Sequence, residues 1–107
     1  MNIPFTIAFS TTASTPNYFI VNAEKPVLLR NIFIHNEHTA GQIIHLTYKA
    51  GYSDTIGIGT VYDVWSQTIA AKTSITMNDL IVVNAGDSFG IYGQGNVVTG
   101  IANCVVL

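Results

Sequence analysis

This sequence predicts an all-β sandwich, and three observations carry the prediction. No stretch shows the i, i+3, i+4, i+7 apolar spacing with caps that marks an amphipathic helix. Short runs rich in Val, Ile, Thr, Tyr and Phe recur instead, such as NYFIVN at 17–22 and TVYDVWSQTIA at 60–70. Most of these runs stop at a cluster of Gly, Pro, Asn or Asp, the residues of tight turns. At 107 residues the chain has material for one core, so a single domain over 1–107 is expected. The sum is about eight strands in one antiparallel sandwich, jelly-roll-like or immunoglobulin-like. The jelly roll is favoured because no Cys…Trp…Cys spacing is present.

The first strand is expected over 3–9, with Pro4 tolerated only near its start or at a sheet edge. The polar link TTASTP at 11–16 follows, so that residues 1–16 form either a first strand or an N-terminal arm. Next come strands over 17–22 and 27–36, separated by Ala23-Glu24-Lys25-Pro26. In the second of these, strict alternation puts Leu28, Arg30, Ile32 and Ile34 on one face and Leu29, Asn31, Phe33 and His35 on the other. Both faces are then apolar, which implies an outer side that is also covered. A polar tip at 37–41 is expected to close a hairpin onto the strand at 42–50. The glycine-rich stretch GYSDTIGIG at 51–59 has no period and reads as a loop, the usual place for binding. Strands over 60–70 and 74–77 lead to a corner at 78–92, where the runs 80–83 and 88–92 meet at Asn84-Ala85-Gly86-Asp87 as a second hairpin. After the turn Gly93-Gln94-Gly95-Asn96, a last strand covers 97–107. The expected core is Ile32, Ile34, Ile44, Leu46, Trp65, Ile69, Leu80, Val82, Phe89 and Ile91.

Only 9% of the chain is charged, against about 25% in an ordinary soluble domain. So little charge defends a monomer poorly, and association with copies or with a larger assembly is expected. The net charge is −2, and Lys25, Arg30, Lys49 and Lys72 are scattered, which gives no phosphate-binding face and argues against nucleic acid. The N-terminus lacks both a basic leader and a long apolar core, so no membrane partner and no secretory signal are expected. Cys104 is the one cysteine and reads as a buried thiol.

The titratable residues do not assemble into a catalytic pattern. No G-x-S-x-G elbow frames any of the serines, and Asp87 reads as a turn acceptor, so the chain is not expected to be an enzyme. His35 and His45 would share one face of the expected hairpin with Glu37 and His38 at its tip, but without an H-x-H pair the expectation is no metal and no cofactor. Trp65, Tyr48 and Tyr62 are weighed as a sugar-stacking platform and assigned to core and rim instead. The loop residues Tyr52, Ser53 and Asp54 are retained as candidates for binding. Leu29 and Phe33, with Arg30 beside them, are the candidate oligomer or capsid interface, and Arg30, Lys49 and Glu24 are expected at its rim.

The corner NDLIVVNAGDSFGIY at 78–92 resembles the penultimate hairpin of small β-sandwich structural proteins of tailed bacteriophages. VLLRNIFIHN at 27–36, Ile44-His45-Leu46 and the closing run from Val97 are similar to three further strands of those proteins, while the part before Asn17 departs from them. The resemblance implies a virion structural protein made in the host cytoplasm and carried on the capsid surface. Its role would be that of a decoration or cement protein, with itself, as a homotrimer, and the major capsid protein as partners. The alternative it implies is a receptor- or glycan-binding knob of a tail or fibre.

Overall fold

The computed structural model describes residues 2–51 and 60–107. Nine strands run through them: β1 (Ile3–Thr11), β2 (Asn17–Ile20), β3 (Val27–Asn36), β4 (Gln42–Ala50), β5 (Thr60–Ile69), β6 (Ser74–Met77), β7 (Ile81–Val83), β8 (Ser88–Tyr92) and β9 (Val98–Val106). No helix occurs among the described residues. The first sheet has the order β1-β9-β3, with β6 and β7 both paired to β3; the second has the order β2-β8-β4-β5. Taken together, β6 and β7 form one interrupted edge strand, and the result is an antiparallel jelly roll of two four-stranded layers.

Consecutive strands mostly lie in different sheets. Both expected hairpins are therefore corrected. β3 belongs to the first sheet and β4 to the second, and the same separation holds for β7 and β8, so the tips at 37–41 and 84–87 cross between layers. Turn chemistry signals a reversal but does not say which layer the returning strand joins. The crossing at 84–87 is tied to the β2–β3 link: the Gly86 N–H donates to the Ala23 carbonyl at 2.7 Å, and the Ala23 N–H donates to the Asp87 carbonyl at 3.0 Å. Gly86 has φ 88°, a conformation that a side chain strains. β1 pairs with β9 from Ile3↔Val106 to Thr11↔Val98, which builds the N-terminal segment into the sheet as an edge strand and puts Pro4 where proline is tolerated.

Two strands carry the core residues differently from strict alternation, for one reason. In β3 the register against β9 shifts between Leu29 and Asn31, a β-bulge centred on Arg30. Val27 and Leu29 point inward before the bulge, and Ile32, Ile34 and Asn36 point inward after it. β7 must match that first half, through Val27↔Val83 and Leu29↔Ile81. Val83 is accordingly buried, while Leu80 at 70% exposure and Val82 at 44% lie outside the expected core. Ile32, Ile34, Ile44, Leu46, Ile69, Phe89 and Ile91 are buried as expected, and Trp65 is half-buried against them.

An aromatic series joins the two layers. Phe9 of the first sheet stacks on Phe19 at 4.9 Å, Phe19 meets Phe89 edge-on at 5.7 Å, and Phe89 meets Tyr48 edge-on at 6.5 Å. Space for Phe9 is made by Gly100, where a Cβ would collide with the Phe9 ring and the Phe33 carbonyl. At one end of the sandwich, Asn36 and Gln42 are fully buried polar side chains. The Asn36 amide donates to the carbonyls of Ala40, Ile69 and Ala70 at 2.9–3.2 Å, while its oxygen accepts Gln42 Nε2 at 2.7 Å and the His38 N–H at 2.9 Å. Gln42 Oε1 accepts the Gln94 N–H at 3.1 Å. Three interlayer connections are thereby held by two side chains.

Candidate interaction surface

The molecule is flattened, 18 Å along its shortest axis against 40 and 33 Å along the others, so the outer faces of the two sheets are its broadest surfaces. They differ in chemistry. On the first sheet, strand register stacks outward residues into rows that cross β1, β9 and β3. Ala8, Ile101 and Phe33 make one apolar row, and Pro4, Val105 and Leu28, continued by Val82, make another. Between them runs a polar row in which the Thr6 hydroxyl donates to Asn103 Oδ1 at 3.2 Å and Asn103 Nδ2 donates to Asn31 Oδ1 at 2.7 Å. Phe33 and Ile101 are 45% and 44% exposed. A cavity of about 410 Å³ opens beside them, bordered by Ala8, His35, Ser74 and Thr99.

Of the three expected interface residues, two are on this surface. Phe33 lies in its apolar row, and Arg30 is turned outward by the bulge. Leu29 is corrected: it is 0% exposed, packed in the chain's own core, because the bulge resets the phase of β3 and puts Leu29 and Ile32 on the same side. Ile101 and Val105 were missed. The signal for them was present, since the closing strand alternates small inward residues (Gly100, Ala102, Cys104) with larger outward ones. Tyr52, Ser53 and Asp54 lie outside the described residues.

The outer face of the second sheet is polar and aromatic. Asp63 is its centre: one carboxylate oxygen accepts the Thr47 hydroxyl at 3.1 Å and the other the Tyr92 hydroxyl at 2.8 Å. That hydrogen bond, together with burial, holds the Tyr92 phenol above its ordinary range. The His45 ring stacks on Tyr92 at 4.5 Å, with Nδ1 enclosed and 3.4 Å from Asp63 without hydrogen-bond geometry. Lys49 lies over the Tyr18 ring at 5.8 Å. Tyr62 is exposed on the edge strand, whereas Tyr48 points inward. Burial first, and then its hydroxyl bond to Asp87, raises the Tyr48 pKa. Asp87 is the expected turn acceptor, but it takes the Gly51 N–H at 2.8 Å from another loop rather than from its own turn.

The histidines expected on one face of a hairpin are on different sheets. His35 contacts Ser74 at 2.6 Å and Glu37 at 3.1 Å on the first, and His45 belongs to the Asp63 cluster on the second. No group of three or more His, Cys, Asp or Glu residues suited to a metal occurs among the described residues. The surface chemistry these arrangements support is therefore apolar contact on one face and hydrogen bonding with aromatic stacking on the other.

No protein-family model and no curated protein matches the sequence. Solved structures do match the fold. A protein of the Bacillus endospore appendages, which form a family of disulfide-linked pili, superposes with a TM-score of 0.53 at 14% identity, over 99% of this chain and 84% of that one. A chain of the viral particle of infectious bursal disease virus superposes with a TM-score of 0.56 at 12% identity, over 98% of this chain and 31% of the viral chain. At such identities the likeness is one of fold, and it agrees with the jelly-roll strand order.

Proposed function

We propose that this protein is a virion structural subunit that acts by assembly and not by catalysis. In the form implied by its resemblance to phage structural proteins, it is a capsid decoration or cement protein, made in the host cytoplasm, that joins neighbouring subunits of the major capsid protein as a homotrimer. The observation that carries this reading is the outer face of the first sheet, where two apolar rows containing Phe33, Ile101, Leu28 and Val105 lie on a chain that is 9% charged. Burying such side chains is worth about 25 cal/mol per Å², so a repeated contact of this kind holds subunits together without a tight pocket. Jelly rolls of similar shape occur in a pilus-forming protein and in a viral particle, which supports an assembling role over an enzymatic one. Emptied or expanded capsids of the source phage, mixed with purified protein, test the proposal. Saturable binding at a copy number matched to the lattice is expected, and no capsid binding by a protein that stays monomeric at micromolar concentration would overturn it.

A second reading, the receptor- or glycan-binding knob, is favoured by one observation, the Tyr92–His45 stack beside the hydrogen-bonding Asp63 on the second sheet. Binding to host cells or glycans, with none to capsids, would put it first.

A further inference from the structure

Beside the apolar rows of the first sheet lies a cation with a depression next to it. Arg30, turned outward by the β3 bulge, borders a cavity of about 350 Å³ whose walls include Pro4, Thr6, Asn31 and Asn103. The polar row there uses its acceptors internally, since Asn103 Oδ1 takes the Thr6 hydroxyl and Asn31 Oδ1 takes the Asn103 amide. Asn31 Nδ2 and the Arg30 guanidinium are left as donors with no acceptor among the described residues. A guanidinium beside an amide N–H is a seat for a carboxylate. The apolar rows on either side suit a carboxylate that arrives on a protein surface with apolar neighbours of its own.

This chain presents such a group. Glu37 is held by His35 and Lys72, Asp63 by Thr47 and Tyr92, and Asp87 by Tyr48 and Gly51. Glu24 is as unengaged as Asp79 among the described residues, but it lies in the β2–β3 link beside Lys25 and has no exposed large apolar residue following it, while Asp54 is outside the described residues. Asp79 makes no side-chain ion pair or hydrogen bond among the described residues, and it is followed by Leu80, 70% exposed. Both sit in the short link between β6 and β7, on the same sheet as Arg30. We infer that a second copy of this chain docks on the first sheet's outer face, with Asp79 of one copy seated against Arg30 and Asn31 of the other and Leu80 covering the adjacent apolar row. Repeated head to tail, with each copy giving its Asp79 to the next, the contact closes the ring of a homotrimer.

The inference rests on the reading that the protein assembles, and charge exchange separates the two. Association of the full chain is followed by sedimentation and native mass measurement for wild type, Arg30→Asp and Asp79→Arg, with circular dichroism of each to establish the β fold. Each variant alone is expected to associate about ten-fold or more weakly than wild type. An equimolar mixture of the two is expected to recover association in species containing both chains. Where the two variants adjoin, either the introduced carboxylate faces the introduced guanidinium or the unchanged Asp79 faces the unchanged Arg30. An ion pair within one chain would not produce that recovery. Single variants that associate like wild type, or a mixture that recovers nothing, would overturn the inference while Phe33→Asp still tests the assembling face. A wild-type chain that never associates would remove the assembly reading itself.

Discussion

Leu46 lies at the centre of β4, fully enclosed between the layers, and its neighbours Ile44 and Ile91 are equally buried. Truncation there removes the transfer energy of the side chain and leaves a cavity that rigid strands cannot close. Leu46→Ala is therefore expected to cost about 2–5 kcal/mol, read as a lower urea midpoint at an unchanged slope. Cys104 offers a different residue-scale test. Burial pushes its thiol up to about 11 from an ordinary 9.0, so in the folded chain it keeps its proton where an unfolded chain would lose it. Stability from this group is full below pH 9 and is lost as pH rises towards 11; the raised phenols of Tyr18, Tyr48 and Tyr92 act with the same sign at higher pH. A thiol reagent at about pH 8 should leave Cys104 unlabelled until denaturant is added. Rapid labelling of native protein would contradict its placement in the core.

At the scale of elements, the turns at 37–41 and 84–87 signalled a reversal without saying which layer it joins, and the misplaced inward residues share a second cause. Period-2 alternation located every strand, but it could not set the phase of Val27-Leu28-Leu29 or of Leu80-Ile81-Val82-Val83, because each run is apolar in both phases. Only the bulge at Arg30, a tertiary feature, decides that Leu29 goes in, and pairing with Leu29 then turns Leu80 and Val82 out. The apolar face was legible through Phe33 and Arg30, while Ile101 depended on knowing that β9 lies between β1 and β3. Asn36 was visible only as the end of an alternating run, yet it is the polar tie of the interlayer connections. Replacing it with Ala leaves the Gln42 amide and the His38 N–H without their buried acceptor. Such orphaned groups cost about 1–3 kcal/mol each, so Asn36→Ala should destabilise by several kcal/mol in denaturant unfolding. A change below about 1 kcal/mol would show that water replaces the amide there at little cost.

For the whole molecule, the jelly-roll order separates two surfaces that the linear sequence interleaves. Alternate residues of β3, β9 and β1 make the core on one side and the Phe33–Ile101–Ala8 row on the other, so a change to the outer row leaves the core packing untouched. That independence allows assembly to be tested without unfolding the chain. Phe33 and Ile101 are each about half exposed, and their burial against another subunit supplies roughly 1 kcal/mol apiece at the usual area coefficient. A charge placed in that contact loses this energy and adds a desolvation cost, while in a lone monomer it simply faces water. The double variant Phe33→Asp with Ile101→Lys, which puts opposite charges across the β3–β9 pair, is therefore expected to keep its β-sheet circular dichroism and to unfold within about 1 kcal/mol of wild type. In light scattering it should stay monomeric at concentrations where the wild-type chain forms its oligomer, and it should fail to bind capsids. If the double variant still assembled and bound as wild type does, the working surface would lie elsewhere, and the Asp63 face of the second sheet would be the one to mutate next.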